Sequence, residues 1–408
     1  MNTSSIESKI ECLSDIPETI QRGLLDQFNI RTIDELTQEK KLLLKNSIAQ
    51  LFSTTGPTEY DEYCRAYALY YLPVNMQKIW RPLLDLTITD SLEPSCCVLE
   101  LGVGPGSATI GLIEFYKYLA YDNYSTEFYI DITVVERESA FLRIFDSLME
   151  QYTHSLPSNL NVSIKSINAD ATEFLAHNEN SGYNLIIESN MLNPNEHISA
   201  CYLEDIAHNL IRALGKHSSL IFIEPAKQVL ANFLRTIKTI LLREGLCCYS
   251  PCCCENQICD QFASAQLNIK GISLCKKLYE NDIITHLPDY HAFEYAVFRN
   301  DTLQKYDYSG TDSILCDLRN HGGELISFKA FVCAIAHPDD DVFALKVCDG
   351  SIPKNKPVWM NIPRKTLLEP QINTLTCGRG GMIDIKNAVV EAPNKLGICR
   401  KTRIRIYK

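Results

Sequence analysis

The stretch Val98-Leu99-Glu100-Leu101-Gly102-Val103-Gly104-Pro105-Gly106-Ser107-Ala108-Thr109 constrains this chain more than any other. An apolar run passes into three glycines at alternate positions, and a second apolar run, Ile110 to Leu119, follows. That order predicts a strand, a tight turn and a helix. Glycine is needed where backbone turns sharply and comes within contact distance of a ligand, because a Cβ there would clash. The dinucleotide fingerprint reads Gly-x-Gly-x-x-Gly, with a pyrophosphate at the helix N-terminus. The spacing here differs, and an acid, Glu100, stands two residues before the first glycine.

Further strand-like runs follow in order. Tyr129–Val135 closes on Glu136, Val162–Ile167 leads into Asn168-Ala169-Asp170, and Tyr183–Ile187 opens into Glu188-Ser189-Asn190. Ser219–Pro225 is the fifth run, Gly245–Tyr249 the sixth and Tyr290–Phe298 the seventh. Most are short and apolar with a helical pattern after them, as strands buried on both faces require. An acid at the second strand end suits a ribose diol, and ligands of open α/β sheets bind at such ends. The glycine turn with its preceding acid resembles that of class I methyltransferases, which bind S-adenosylmethionine. The resemblance implies an α/β fold, a Rossmann-like methyltransferase domain. Its cofactor residues would be Glu100, Gly102, Gly104, Gly106, Glu136 and Asp170, with Glu188, Ser189 and Asn190 lining the cofactor and acceptor side.

The chain has 408 residues and no apolar run of about 18 residues, so no membrane span is expected. Met1 to Glu11 lacks the basic end and apolar core of a signal peptide, and a cytoplasmic protein is expected. Seventeen cysteines in a reducing compartment are not a disulfide framework. Cys96-Cys97 and Cys247-Cys248 sit in apolar contexts and read as core filling. Cys252, Cys253, Cys254 and Cys259 crowd a polar segment, where the simplest holder of clustered thiols is a metal, as zinc or an iron–sulfur cluster. Cys275 and Cys316 are candidate remote ligands, and a cysteine-rich loop without metal is the alternative.

The glycine turn, the strand-end series and the Pro251-Cys252 loop together resemble the methyltransferase-like proteins of the small ribosomal subunit. Ala66–Asn75 is similar to that family's Leu-Pro stretch, Phe293–Arg299 to its final core strand, and Ser313–Leu318 to a later cysteine-bearing strand. The likeness runs from about Tyr60 to Asp349. It implies a four-iron cluster held by cysteines of the loop and the later strand, and small-subunit ribosomal RNA as partner.

Three regions are expected: a helical one over 1–80, the methyltransferase-like domain over 81–300 with a cysteine-rich loop at 247–275, and a β-rich one over 301–408. Short strands between turns such as Asn320-His321-Gly322-Gly323 suggest a small β-barrel, of the oligonucleotide-binding kind, or a sandwich. Thirteen Lys and Arg stand against four acids from Lys346 to Lys408. That segment is therefore +9, in a chain of net −11. A basic β-region suits phosphate contacts, or docking on the acidic remainder.

The Asn/Asp-Pro-Pro-aromatic signature of amino-methylating enzymes is absent at the fourth strand end; Asn193-Pro194-Asn195 comes too late. No catalytic base is identifiable, and His208, His217 and His291 read as structural or exposed. Two functions remain: a cofactor-binding, iron–sulfur protein of ribosome assembly that binds or methylates RNA, and a methyltransferase for a small molecule or peptide.

Overall fold

The computed structural model describes residues 15–51, 60–87, 89–178, 182–191, 200–251, 264–269, 271–288, 290–303, 325–336, 342–348, 358–363, 382–392, 395–397 and 401–407. The chain divides into two compact units. The first holds Met1–His197, His208–Pro225 and Gln266–Phe293; the second holds Ile198–Ala207, Ala226–Ala265 and Glu294–Lys408.

Helices α1 (Glu18–Asp26), α2 (Gln38–Gln50), α3 (Tyr60–Asn75) and α4 (Trp80–Thr87) precede the first strand. Helix α1 buries Ile20, Leu24 and Leu25, and Gly23 lets it approach α6 (Ser139–Thr153) so closely that a Cβ would meet Leu148 Cδ2 at 2.6 Å. Thr37 caps α2 by accepting from the Lys40 N–H at 3.3 Å. Pro73 near the end of α3 gives way to a 3-10 turn over Met76–Ile79.

Strands β1 (Ser95–Leu101), β2 (Phe128–Glu136), β3 (Leu160–Asn168), β4 (Tyr183–Ser189) and β5 (Leu214–Pro225) pair in parallel, in the order β3-β2-β1-β4-β5. The sheet continues through β8 (Tyr290–Arg299) to β6 (Cys247–Ser250), which lie antiparallel, and β7 (Ser264–Asn268) pairs with β8. Val98, Leu99, Leu185, Ile186, Ile187, Leu220 and Ile221 of the central strands are buried. Edge strand β3 alternates half-exposed and exposed residues instead, since a sheet edge leaves one side of each face uncovered.

The remaining helices are α5 (Ser107–Asp122), α7 (Ala171–His177), α8 (Ala200–Ala213), α9 (Gln228–Arg243) and α10 (Ser273–Glu280). Cys96, Cys247 and Cys248 are buried, as expected of core thiols, whereas Cys97 is only half-buried.

In the second unit, strands β9 (Leu325–Ala336), β10 (Val342–Cys348), β11 (Val358–Pro363), β12 (Met382–Ala392), β13 (Lys395–Gly397) and β14 (Arg403–Tyr407) form a separate sheet, in the order β13-β11-β10-β9-β12-β14. Strand β13 runs parallel to β11 and also pairs antiparallel with β12, so the hydrogen-bonded path returns on itself. Leu345, Val347, Met360, Ile362, Ile383, Ile385 and Leu396 are buried within this region.

Candidate functional site

Four parallel strands of the first unit finish in a buried glutamate. Glu100 is next to last in β1, Glu136 is last in β2, Glu188 is next to last in β4 and Glu224 is next to last in β5; none is more than 7% exposed. Burying one carboxylate disfavours its charge, and four together are tolerated only where hydrogen bonds or a cation compensate.

Between β1 and α5 the chain turns through Gly102 (φ +64°), Gly104 (φ +54°) and Gly106 (φ +98°), left-handed backbone open to glycine at little cost. The N–H groups of Gly102 and Val103 both donate to the Val135 carbonyl, at 2.8 and 3.2 Å, which ties the turn to the end of β2. A Cβ on Gly102 would meet Met191 Cγ at 2.8 Å, whereas one on Gly104 would have nothing within 4 Å. The turn is therefore covered at Gly102 and open at Gly104.

Glu136 is fixed at both oxygens. Oε2 accepts from the Gly104 N–H at 2.8 Å and Oε1 from the Glu138 N–H at 2.9 Å. Burial raises its pKa, and these two hydrogen bonds oppose the rise. Each oxygen keeps a second acceptor position, so the group can still receive hydroxyls from a ligand. Glu100 accepts from the Thr109 hydroxyl in the first turn of α5. Burial pushes its pKa up to about 8, which leaves it largely protonated at neutral pH.

Asp170 caps α7, accepting from the N–H groups of Thr172 at 2.8 Å and Glu173 at 3.2 Å. Burial alone would raise its pKa; the Thr172 hydroxyl, which also donates to Asp170, and those two N–H groups prevail and lower it. Asn168 donates to the carbonyls of Glu136 and Arg137, at 2.8 and 2.9 Å, and so holds the ends of β2 and β3 together. At the end of β4, Glu188 Oε1 accepts from the Met191 N–H at 3.1 Å, Asn190 takes φ +56° and donates its N–H to the Ile223 carbonyl, and its side chain donates to Ser189 Oγ.

The structure thus brings Glu100, Gly102, Gly104, Gly106 and Glu136 together at one turn and sets Glu188, Ser189, Asn190 and Met191 over it through the Met191–Gly102 contact. Sequence reading passed over Met191, Glu224, Tyr67 and Lys78. Helix α3 carries Tyr67, half-buried, whose ring centroid lies 5.1 Å from that of Phe141 and 4.7 Å from that of Tyr71. Lys78 is 1% exposed, and its Nζ is 5.8 Å from the Phe293 ring centroid with no hydrogen-bond partner among the described residues. Burial lowers its pKa to about 7, against the pull of Glu224. His291, beside it, is lowered to about 4 by burial and by Lys78.

Among the candidate metal ligands, Cys252, Cys253, Cys254, Cys259 and Cys316 lie outside the described residues. Cys275 lies within them, 1% exposed on α10 in an apolar cluster with Val74, Ile269 and Ile272. Burial pushes its thiol up to about 12. Among the described residues no group of three or more His, Cys, Asp or Glu is placed to hold a metal, and no helix is long and apolar enough to cross a membrane.

No family model matches this chain, and no curated protein does. Several solved structures are similar to the chain at low identity. N-methyltransferase NodS from Bradyrhizobium japonicum, in complex with S-adenosyl-L-homocysteine, is 14% identical, with 64% of this chain and 97% of that one covered and a TM-score of 0.33. The arsenic(III) S-adenosylmethionine methyltransferase of Chlamydomonas reinhardtii is 14% identical over 62% of this chain and 77% of that one, TM-score 0.28. NSun6 from Pyrococcus horikoshii is 12% identical over 53% and 51%, TM-score 0.32. With the strand order β3-β2-β1-β4-β5-β8-β6 and the glycine turn at the end of β1, the chain has the class I methyltransferase fold, a Rossmann-like, mostly parallel seven-strand sheet.

Proposed function

We propose that the first unit binds S-adenosylmethionine and is a methyltransferase whose acceptor side lies at the ends of β4 and β5. The observation that carries this reading is the glycine turn with open space at Gly104, bordered by the buried strand-end carboxylates Glu100, Glu136 and Glu188. A ligand with a sulfonium and an ammonium against one carboxylate matches a site rich in acids, where a phosphate-bearing nucleotide would be repelled. Glu136, held by two backbone donors, would receive the ribose hydroxyls. Glu100 orders the start of α5 through Thr109, and Glu188, Ser189 and Asn190 would flank the methionine part. The bound cofactor would supply an electrophilic methyl carbon; positioning the acceptor is the protein's share. Calorimetric titration with S-adenosylmethionine and S-adenosylhomocysteine tests the reading. Micromolar binding that falls at least tenfold in Glu136→Ala supports it, and no binding of either ligand overturns it.

The β9–β14 region extends the proposal to RNA. Strand neighbours in the cyclic order β9-β10-β11-β13-β12, with β11 and β13 parallel, support a five-stranded barrel of the oligonucleotide-binding kind. Its excess of lysine and arginine favours phosphate contact, and ribosomal RNA is the partner this reading names. A salt-independent or absent affinity for RNA would move the acceptor to small molecules or peptides. The iron–sulfur cluster rests on the resemblance in the Cys252–Cys259 run; iron and sulfide content after oxygen-free purification tests it.

A further inference from the structure

Three buried side-chain atoms of the first unit, Asn75 Oδ1, Lys78 Nζ and His291 Nδ1, have no hydrogen-bond partner among the described residues. Backbone geometry sets them on two facing segments. Asn75 ends α3, and Lys78 lies one turn further on in the 3-10 turn Met76–Ile79, where residues three apart stand one above the other. Lys78 reaches strand β8, its Nζ lying 5.8 Å from the centre of the Phe293 ring. His291 precedes Phe293 by two residues on that strand, so both side chains leave the same face, and Ala292 between them is exposed. The 3-10 turn is clamped: a Cβ on Gly111 of α5 would overlap the Met76 carbonyl oxygen and come within 2.6 Å of Ile79 Cγ2. The ammonium is therefore held where it is. A segment that served packing alone would carry apolar side chains here. The Phe293 face answers part of the lysine charge but offers no acceptor, and it does nothing for the amide or the imidazole. Unpaired burial of such groups costs stability, that of the charge most of all.

We propose that Asn75, Lys78 and His291 form a binding site for a small organic acid with a hydrogen-bond donor beside its carboxylate, an amino- or hydroxy-carboxylate. Lys78 would meet the single negative charge. His291, uncharged at neutral pH because burial and Lys78 lower it to about 4, would turn Nδ1–H to the second oxygen. Asn75 Oδ1 would accept from the neighbouring N–H or O–H, and the Phe293 ring would lie against the carbon part. A dianion would bring a second charge that one lysine leaves unmatched, and Glu224, whose field also acts on Lys78, would repel it. The site needs no S-adenosylmethionine, so it stands or falls apart from the cofactor reading. Ligand and proton would bind together. Burial pulls Lys78 down to about 7, against Glu224, so above that pH the amine must take up a proton before it meets a carboxylate. Affinity should be level just below pH 7 and fall about tenfold per pH unit above it.

The test is calorimetric titration of the full chain with glycolate and with acetate, which share the carboxylate and differ in the hydroxyl. Glycolate should bind about fivefold more tightly than acetate, and Asn75→Ala should bring the two level. Lys78→Met should weaken glycolate by about tenfold or more. Should either variant not fold, the carbon-13 resonance of Lys78 Cε in wild-type protein gives a second readout. Its titration midpoint, about 7 in chloride, should move to higher pH when glycolate saturates the site. No binding of glycolate overturns the proposal, as does binding that ignores pH and leaves the Lys78 resonance in place. Equal affinity for the two acids in wild-type protein overturns the ligand class, because Asn75 then accepts nothing.

Discussion

The Trp80 indole Nε1 donates to the main-chain carbonyl of Gly111 at 2.7 Å, joining the start of α4 to the second turn of α5. Both groups are buried, and the approach depends on glycine: a Cβ at 111 would overlap the carbonyl oxygen of Met76, where backbone cannot swing aside. The turn that carries Lys78 is therefore locked on the helix that follows the glycine turn. Gly111→Ala should destabilise the chain by roughly 2–3 kcal/mol, because the overlap forces the main chain apart. Urea unfolding of the variant beside wild type checks this, and a loss under about 0.5 kcal/mol would show that the two segments separate freely.

Glu100 predicts a pH dependence. Its folded pKa is about 8 against 4.5 for a free glutamate, so between these the folded state binds more protons than the unfolded state. Stability from this group is complete below about pH 4.5 and is lost as pH rises through 8. Glu100→Gln does not titrate. Relative to wild type, its melting temperature should rise by roughly 3–8 °C between pH 5 and pH 8.5. Parallel pH profiles would mean that Glu100 is ionised when buried.

Lys78 works in the opposite sense. Its folded pKa of about 7 lies below the 10.5 of a free lysine, so the unfolded state holds the extra proton between pH 7 and 10.5. The cost is full below pH 7 and fades as pH rises toward 10.5. Lys78→Met should be more stable than wild type by on the order of 2–4 kcal/mol at pH 6.5, with the gap closing toward pH 10. Chemical denaturation at the two pH values measures it; a methionine variant that is weaker at pH 6.5 would show that the ammonium is needed there.

Charge in the β9–β14 region should govern RNA affinity. Arg403 is exposed and Lys346 is half-buried. The double variant Lys346→Glu, Arg403→Glu should weaken binding of a single-stranded RNA at least tenfold and flatten its salt dependence by roughly 1.4 units of slope, about 0.7 for each cation lost. Fluorescence anisotropy at several salt concentrations reads both quantities, and an unchanged slope would place the phosphates elsewhere.

The parallel sheet was legible because buried parallel strands are written as short apolar runs, and each run quoted from Val98 to Phe298 overlaps a strand. Strand β7 was not, since Ser264–Asn268 has no apolar stretch to mark it. Gly104 and Glu136 were each named from their own motif, yet the hydrogen bond between them joins residues 32 apart and no local spacing encodes it. Tyr67 and Lys78 escaped for a related reason. They stand on α3 and on the 3-10 turn after it, both ahead of the sheet in sequence, so no local pattern ties them to it. Asp170 shows the converse: its place at a strand end was evident, but its oxygen is engaged by the helix that begins beside it.

The four strand-end glutamates give this pocket a property that depends on no particular acceptor. Burial raises the pKa of both Glu100 and Glu136, and pushes that of Glu100 up to about 8, so Glu100 is still largely protonated at neutral pH. A positive ligand bound beside Glu100 would favour its ionised form and release a proton, so affinity would climb as pH rises toward 8. The heat of association then carries the ionisation enthalpy of whatever buffer receives it. Occupancy of the pocket and the acidity around the molecule are two readings of one equilibrium.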